Sequence, residues 1–90
     1  MGYCGIDLGV KSTSICVLDE ERGILLEESV DTEVATIRGA LKGFKGLRCV
    51  VEAAPLAEWL CVVVEGTGHG IDIIDPRQAK VITHSKKKTD

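Results

Sequence analysis

Aromatic residues are almost missing from this chain of 90 residues, at 3%, with one Trp, one Tyr and one Phe. A core must therefore be assembled from Val, Ile, Leu and Ala. No apolar run approaches the roughly 20 residues needed to cross a bilayer, and no basic region precedes a signal-like segment. A cytoplasmic setting is the expectation. The four cysteines, Cys4, Cys16, Cys49 and Cys61, contain no Cys-x-x-Cys pair, which argues against structural zinc. They lie in apolar patterns and read as small buried hydrophobes. No Ser-His-Asp arrangement is evident. His69 sits in the turn Gly66-Thr67-Gly68-His69-Gly70, too irregular to match a dinucleotide fingerprint, and reads as a loop residue.

What is present fits one small domain over residues 1–90, burying about two-thirds of its unfolded surface. The net charge of −3 hides an asymmetry. Residues 19–33 hold seven acids against Arg22 alone, whereas residues 77–88 hold five basic residues and no acid. One end of the chain is thus suited to meet a polyanion.

Residues 3–8 read as a strand buried on both faces, turning at Gly9. Residues 12–18 read as a second strand, Asp19-Glu20-Glu21-Arg22-Gly23 as a hairpin turn, and residues 24–30 as a third strand. Short turns make these three antiparallel neighbours. The period then changes. Val34, Ile37, Leu41 and Phe44 fall at helical spacing after Asp31 or Thr32 as N-cap, with Gly43 and Gly46 as terminators. Residues 48–52 form a strand. Pro55 opens a helix carrying Leu56, Leu60, Val63 and Val64 and closed by Gly66. Residues 71–74 form a short strand, and Asp75-Pro76 starts a third helix through Val81. The order β-β-β-α-β-α-β-α predicts an α/β fold: a mixed five-stranded sheet, three strands antiparallel and the rest parallel, with helices on its faces.

Three acids are placed for metal-dependent chemistry. Asp7 ends the apolar run Tyr3-Cys4-Gly5-Ile6, Glu52 ends Cys49-Val50-Val51, and Asp90 follows Lys86-Lys87-Lys88-Thr89. A carboxylate at the mouth of a buried strand is costly unless a cation shares the site. In parallel sheets ligands bind beyond the carboxyl ends of the strands, where Asp7 and Glu52 both lie. Each acid has a plainer reading: a turn carboxylate for Asp7, a salt bridge to Arg48 or Lys11 for Glu52, a helix cap or frayed tail for Asp90. The small Ala53 and Ala54 beside Glu52 leave room for a ligand. Lys86, Lys87 and Lys88 read as a solvated run or as phosphate contacts. Ser12, Thr13 and Ser14 read as pairing on the solvated face of the second strand, or as phosphate ligands beside Asp7. Trp59 reads as packing at the edge of the core or as meeting a partner, and His84, near the basic run, as a further contact for phosphate or metal. Converging hard oxygens suit Mg²⁺ or Mn²⁺ and metal-assisted phosphoryl transfer.

The strings Gly5-Ile6-Asp7-Leu8-Gly9-Val10-Lys11-Ser12, Val50-Val51-Glu52-Ala53, Ile74-Asp75-Pro76 and Lys87-Lys88-Thr89-Asp90 together resemble the N-terminal domain of IS110-family transposases. The resemblance implies a RuvC-like, ribonuclease H-like fold and a D-E-D-D acidic set, with Asp7, Glu52 and Asp90 as catalytic metal ligands. It further implies Mg²⁺-dependent DNA transposition and recombination, with Lys11, Lys86, Lys87 and Lys88 on nucleic acid. A homo-oligomer, DNA, an element-encoded structured RNA and a nucleoid-associated location complete that expectation. The family's fourth Asp and its serine-bearing domain have no counterpart here, so a catalytically incomplete fragment is expected.

Two other classes fit the same residues. Actin-like sugar kinases and ATPases share the fold core and the Asp-x-Gly opening, which would place Asp7 near nucleotide phosphates. A small non-catalytic nucleic-acid-binding module is the third.

Overall fold

Residues 2–75 are described by the computed structural model. Five strands and two helices run in the order β1 (Gly2–Leu8), β2 (Ser12–Asp19), β3 (Gly23–Asp31), α1 (Val34–Leu41), β4 (Arg48–Glu52), α2 (Ala57–Glu65) and β5 (Gly70–Ile74). The strands form one mixed sheet in the order β3-β2-β1-β4-β5. The β1–β2 and β2–β3 pairs are antiparallel, and β1–β4 and β4–β5 are parallel. The predicted α/β class and five-stranded mixed sheet are observed. The expected third helix, and Asp90 with Lys86, Lys87 and Lys88, lie outside the described residues.

Alternation within the strands decides how the sheet packs. In β1, Cys4 and Ile6 are buried while Tyr3, Gly5 and Asp7 are exposed. In β4, Cys49 and Val51 are buried while Arg48, Val50 and Glu52 are exposed. Successive side chains alternate across a pleated strand, so one face collects the buried set. That face packs against Ile37 and Leu41 of α1 and Ala57, Leu60, Val63 and Val64 of α2 in a single core. Both helices cover the same face. The expectation that β1 is buried on both faces is corrected, since among the described residues its Gly5 and Asp7 side has no element over it.

The helix boundaries differ from the sequence reading for local reasons. Helix α1 begins at Val34 with Glu33 in extended geometry at the cap and no side-chain capping bond. Asp31 is still part of β3, and the Thr32 hydroxyl is engaged elsewhere, so neither caps the helix. Thr36 instead donates its hydroxyl to the Asp31 carbonyl at 2.5 Å and the Glu33 carbonyl at 3.1 Å. Helix α2 starts at Ala57, two residues past Pro55, and closes at Gly66, whose N–H reaches the Val62 carbonyl at 3.1 Å. The β2–β3 turn uses Gly23 at φ +80°, in the left-handed region that glycine enters without steric cost.

His69 has a role that its glycine-rich surroundings conceal. It is 4% exposed, and its Nδ1 accepts the Leu47 N–H at 3.0 Å. Its Nε2 lies 3.3 Å from the Leu41 carbonyl oxygen. Because Nδ1 is an acceptor, the proton sits on Nε2 and is donated to Leu41. The imidazole therefore joins the end of α1, the start of β4 and the approach to β5.

Candidate functional site

Parallel pairing sets β1 and β4 side by side with Ile6 opposite Val51. Asp7 and Glu52 each follow one step further, on strands about 4.7–4.9 Å apart. Both point to the face opposite the helices. Both line one depression of about 860 Å³. The strand order, which periodicity alone does not supply, brings these two sequence-predicted acids together.

The depression has an apolar floor of Gly5, Val50, Ala53, Ala54 and Ile74, with Ser14, Ser29 and Glu27 along its β2 and β3 side. Gly5 matters here by having no side chain. A methyl group at Gly5 would meet no atom within 4 Å, so the position is open space. Ala53 is tied to the β5 end by its N–H donating to the Ile74 carbonyl at 2.8 Å. Ser29 and Glu27 escaped the sequence reading. The signal for them is the alternation of β2 and β3, readable once the register Ser14–Ser29 and Cys16–Glu27 is known.

Among the described residues, neither the Asp7 nor the Glu52 carboxylate has a hydrogen bond or ion pair. The salt bridge from Glu52 to Arg48 or Lys11 is absent on the same terms. No group of three or more His, Cys, Asp or Glu able to hold a metal forms among the described residues. The site offers two unpartnered hard-oxygen ligands and leaves the remaining positions of a metal to water and to substrate oxygens. Such a set fits Mg²⁺, which keeps several waters and is commonly bound by one or two carboxylates plus phosphate.

Lys11 is exposed in the loop joining β1 to β2, on the rim where β1 ends. That loop is tight at Gly9, where a side-chain carbon would overlap the Ser12 carbonyl oxygen. Of the three hydroxyl residues expected on the solvated face, Ser12 and Ser14 are exposed. Thr13 faces the other way and is fully buried, its hydroxyl 2.7 Å from that of Thr32.

The cysteines divide. Cys4 and Cys49 are each 1% exposed and are register partners across β1 and β4, as expected for small buried hydrophobes. Cys16 and Cys61 are only half-buried. The hydrogen bond from Cys49, with burial, pushes the Cys4 thiol far above its ordinary range. Burial, then the nearby Glu65, Glu58 and Asp72 carboxylates, raises Cys61. Trp59 packs partly buried against the core, as the sequence placed it.

No family model matches the chain, and no curated protein does. Solved structures do. A type II variant of the Aquifex aeolicus Ppx/GppA phosphatase superposes with a TM-score of 0.52 at 18% identity, covering 84% of this chain and 36% of that one. A second structure of the Aquifex aeolicus PPX-GPPA enzyme gives 0.52 at 19%, covering 87% of this chain and 37% of that one. The chain thus spans little more than a third of the enzymes it resembles, and at this identity the likeness is one of fold. It overturns the transposase reading. These superposed structures are Ppx/GppA phosphatases, and neither a family model nor a curated protein supports an IS110 assignment. DNA transposition, recombination and insertion-element function are withdrawn with it. The nucleoid location rested on that resemblance and has no other support, whereas the DNA and RNA partners are not addressed by these structures. No helix among the described residues is long and apolar enough to cross a membrane.

Proposed function

We propose that this chain is part of an actin-like domain that binds the phosphate end of a nucleotide or other phosphoanhydride together with a divalent cation. The observation that carries the reading is the pair of unpartnered carboxylates, Asp7 and Glu52, at adjacent strand ends. They stand beside a glycine-tight hairpin on a fold shared with phosphatases. The actin-like core, rather than the ribonuclease H-like one named by the sequence, is the finer fold assignment this reading adopts.

The electrostatics supply the logic. Two carboxylates with no basic partner repel a phosphate, so an anionic substrate enters only when a cation neutralises them. Asp7 and Glu52 would hold Mg²⁺ or Mn²⁺, directly or through water. When bound, the ion would supply charge neutralisation for transferring phosphoryl oxygens. Lys11, at the hairpin tip, adds a positive charge for a phosphate. The apolar floor at Gly5, Val50 and Ile74 lets a ligand lie close to the sheet, and Ala53 and Ala54 keep that approach clear. In the whole enzyme this would serve phosphoryl transfer or phosphoanhydride hydrolysis.

Titration calorimetry of the 90-residue chain with pyrophosphate and with ATP tests the reading. Binding in millimolar Mg²⁺ that disappears with EDTA is expected, and Asp7→Asn should abolish it. Binding that is indifferent to both EDTA and Asp7→Asn would refute it.

A further inference from the structure

The loop from Gly9 to Lys11 is held at both ends by one residue, Thr32, just beyond β3. Thr32 lies one position past β3, and its N–H donates to the Lys11 carbonyl at 3.0 Å. Its hydroxyl donates to the Gly9 carbonyl at 2.8 Å. The same hydroxyl oxygen is 2.7 Å from the Thr13 hydroxyl.

The direction of this chain is determined. A threonine hydroxyl has one proton and two lone pairs. Thr32 gives its proton to Gly9, so the Thr13 hydroxyl must donate to Thr32. Thr13 is fully buried, and no buried side-chain polar atom among the described residues lacks a partner. The relay runs Thr13 to Thr32 to Gly9 and stops at the backbone.

Fixing a carbonyl also fixes the amide on its other side. The peptide between Gly9 and Val10 is planar and trans, so its C=O and N–H point in opposite directions. With the Gly9 carbonyl turned onto Thr32, the Val10 N–H is turned away from it. Val10 itself is 84% exposed, which places this peptide at the surface. An outward N–H in a tight turn is a donor open to an anion.

We propose that Thr32 is a positioning residue, which orients the Gly9–Lys11 loop so that the Val10 N–H meets the phosphate. The inference rests on the phosphate reading above. It assigns to Thr32 no contact with substrate. Its effect passes through the Gly9 carbonyl, and the hydroxyl rather than the methyl group carries it.

The test compares Thr32→Val, which keeps the shape and removes the hydroxyl, with Thr32→Ser, which keeps the hydroxyl. Pyrophosphate affinity in Mg²⁺ is measured by calorimetry well below the melting temperature of each variant. Amide exchange at Val10 is followed by NMR. Thr32→Val is expected to weaken pyrophosphate about tenfold, the equivalent of one lost hydrogen bond, and to alter Val10 exchange. Thr32→Ser is expected to stay within about twofold of the parent chain. A valine variant that is less stable but binds pyrophosphate as the parent does would overturn this proposal and leave the phosphate reading standing. A parent chain that binds no pyrophosphate overturns both.

Discussion

Replacing Asp7 by Asn should make the protein more stable while removing its ligand chemistry. Asp7 and Glu52 follow the Ile6–Val51 pair on adjacent parallel strands, and neither has a partner among the described residues. Like charges facing each other across a strand pair destabilise by about 0.2–1 kcal/mol, and both groups are exposed, so salt screening keeps the effect in the lower part of that range. The amide has nearly the same shape, and exposure lets water satisfy it. For a domain of this size, about 1 kcal/mol moves the melting temperature by roughly 4–8 °C. Asp7→Asn is therefore expected to raise it by about 1–4 °C in low salt, and less as ionic strength rises. Millimolar Mg²⁺ should raise the melting temperature of the parent chain and leave that of Asp7→Asn in place. Calorimetric or dichroism melts at two salt concentrations, with and without Mg²⁺, read all of this. A destabilised Asp7→Asn, or an equal Mg²⁺ shift in both proteins, would show that Asp7 is a structural carboxylate and sink the reasoning.

Three further outcomes follow from the packing. His69→Ala leaves the buried Leu47 N–H without its partner, while the Leu41 carbonyl keeps the Phe44 N–H at 3.1 Å, so with one orphaned group costing about 1–3 kcal/mol urea melts should show a loss of at least about 1 kcal/mol. A loss below about 0.5 kcal/mol would mean the imidazole bridge is dispensable. Gly9→Ala must displace the Ser12 carbonyl and should lower stability and phosphate binding together, whereas Gly5→Ala enters open space and should leave the fold intact; equal stability of the two variants would contradict this. Cys61 is raised by burial first and by Glu65, Glu58 and Asp72 next, so its thiolate is scarce below its elevated range and grows as pH rises through it. Glu65→Gln should speed iodoacetamide labelling of Cys61 at mildly alkaline pH, while Cys4 and Cys49 label only on unfolding. An unchanged Cys61 rate would remove the carboxylates as a cause.

The sheet was legible because each strand is short, bounded by Gly or acidic turns, and rich in Val and Ile. Its one-sidedness was harder to see. In Tyr3-Cys4-Gly5-Ile6-Asp7 the outward residues Tyr3 and Gly5 are not polar, so period-2 alternation is masked and the run reads as buried throughout. Asp7 and Glu52 stood out individually, but their meeting depends on β4 inserting beside β1, a long-range choice that local pattern does not encode. Thr32 was misplaced because a threonine before a helix looks like a cap, and His69, in the loop where the sequence put it, gave no sign of its burial because its partners lie in other elements. The transposase resemblance failed at its weakest link. Gly5-Ile6-Asp7-Leu8-Gly9 opens actin-like domains as readily, since any strand that ends on a carboxylate before a tight turn has that form.

Amide NMR of the 90-residue chain titrated with pyrophosphate in Mg²⁺ probes the central claim most directly. The largest shifts are expected on Gly9, Val10 and Lys11 and on the Asp7 and Glu52 strand ends, and they should vanish with EDTA. Shifts confined to the helix-covered side, or none at all, would contradict it.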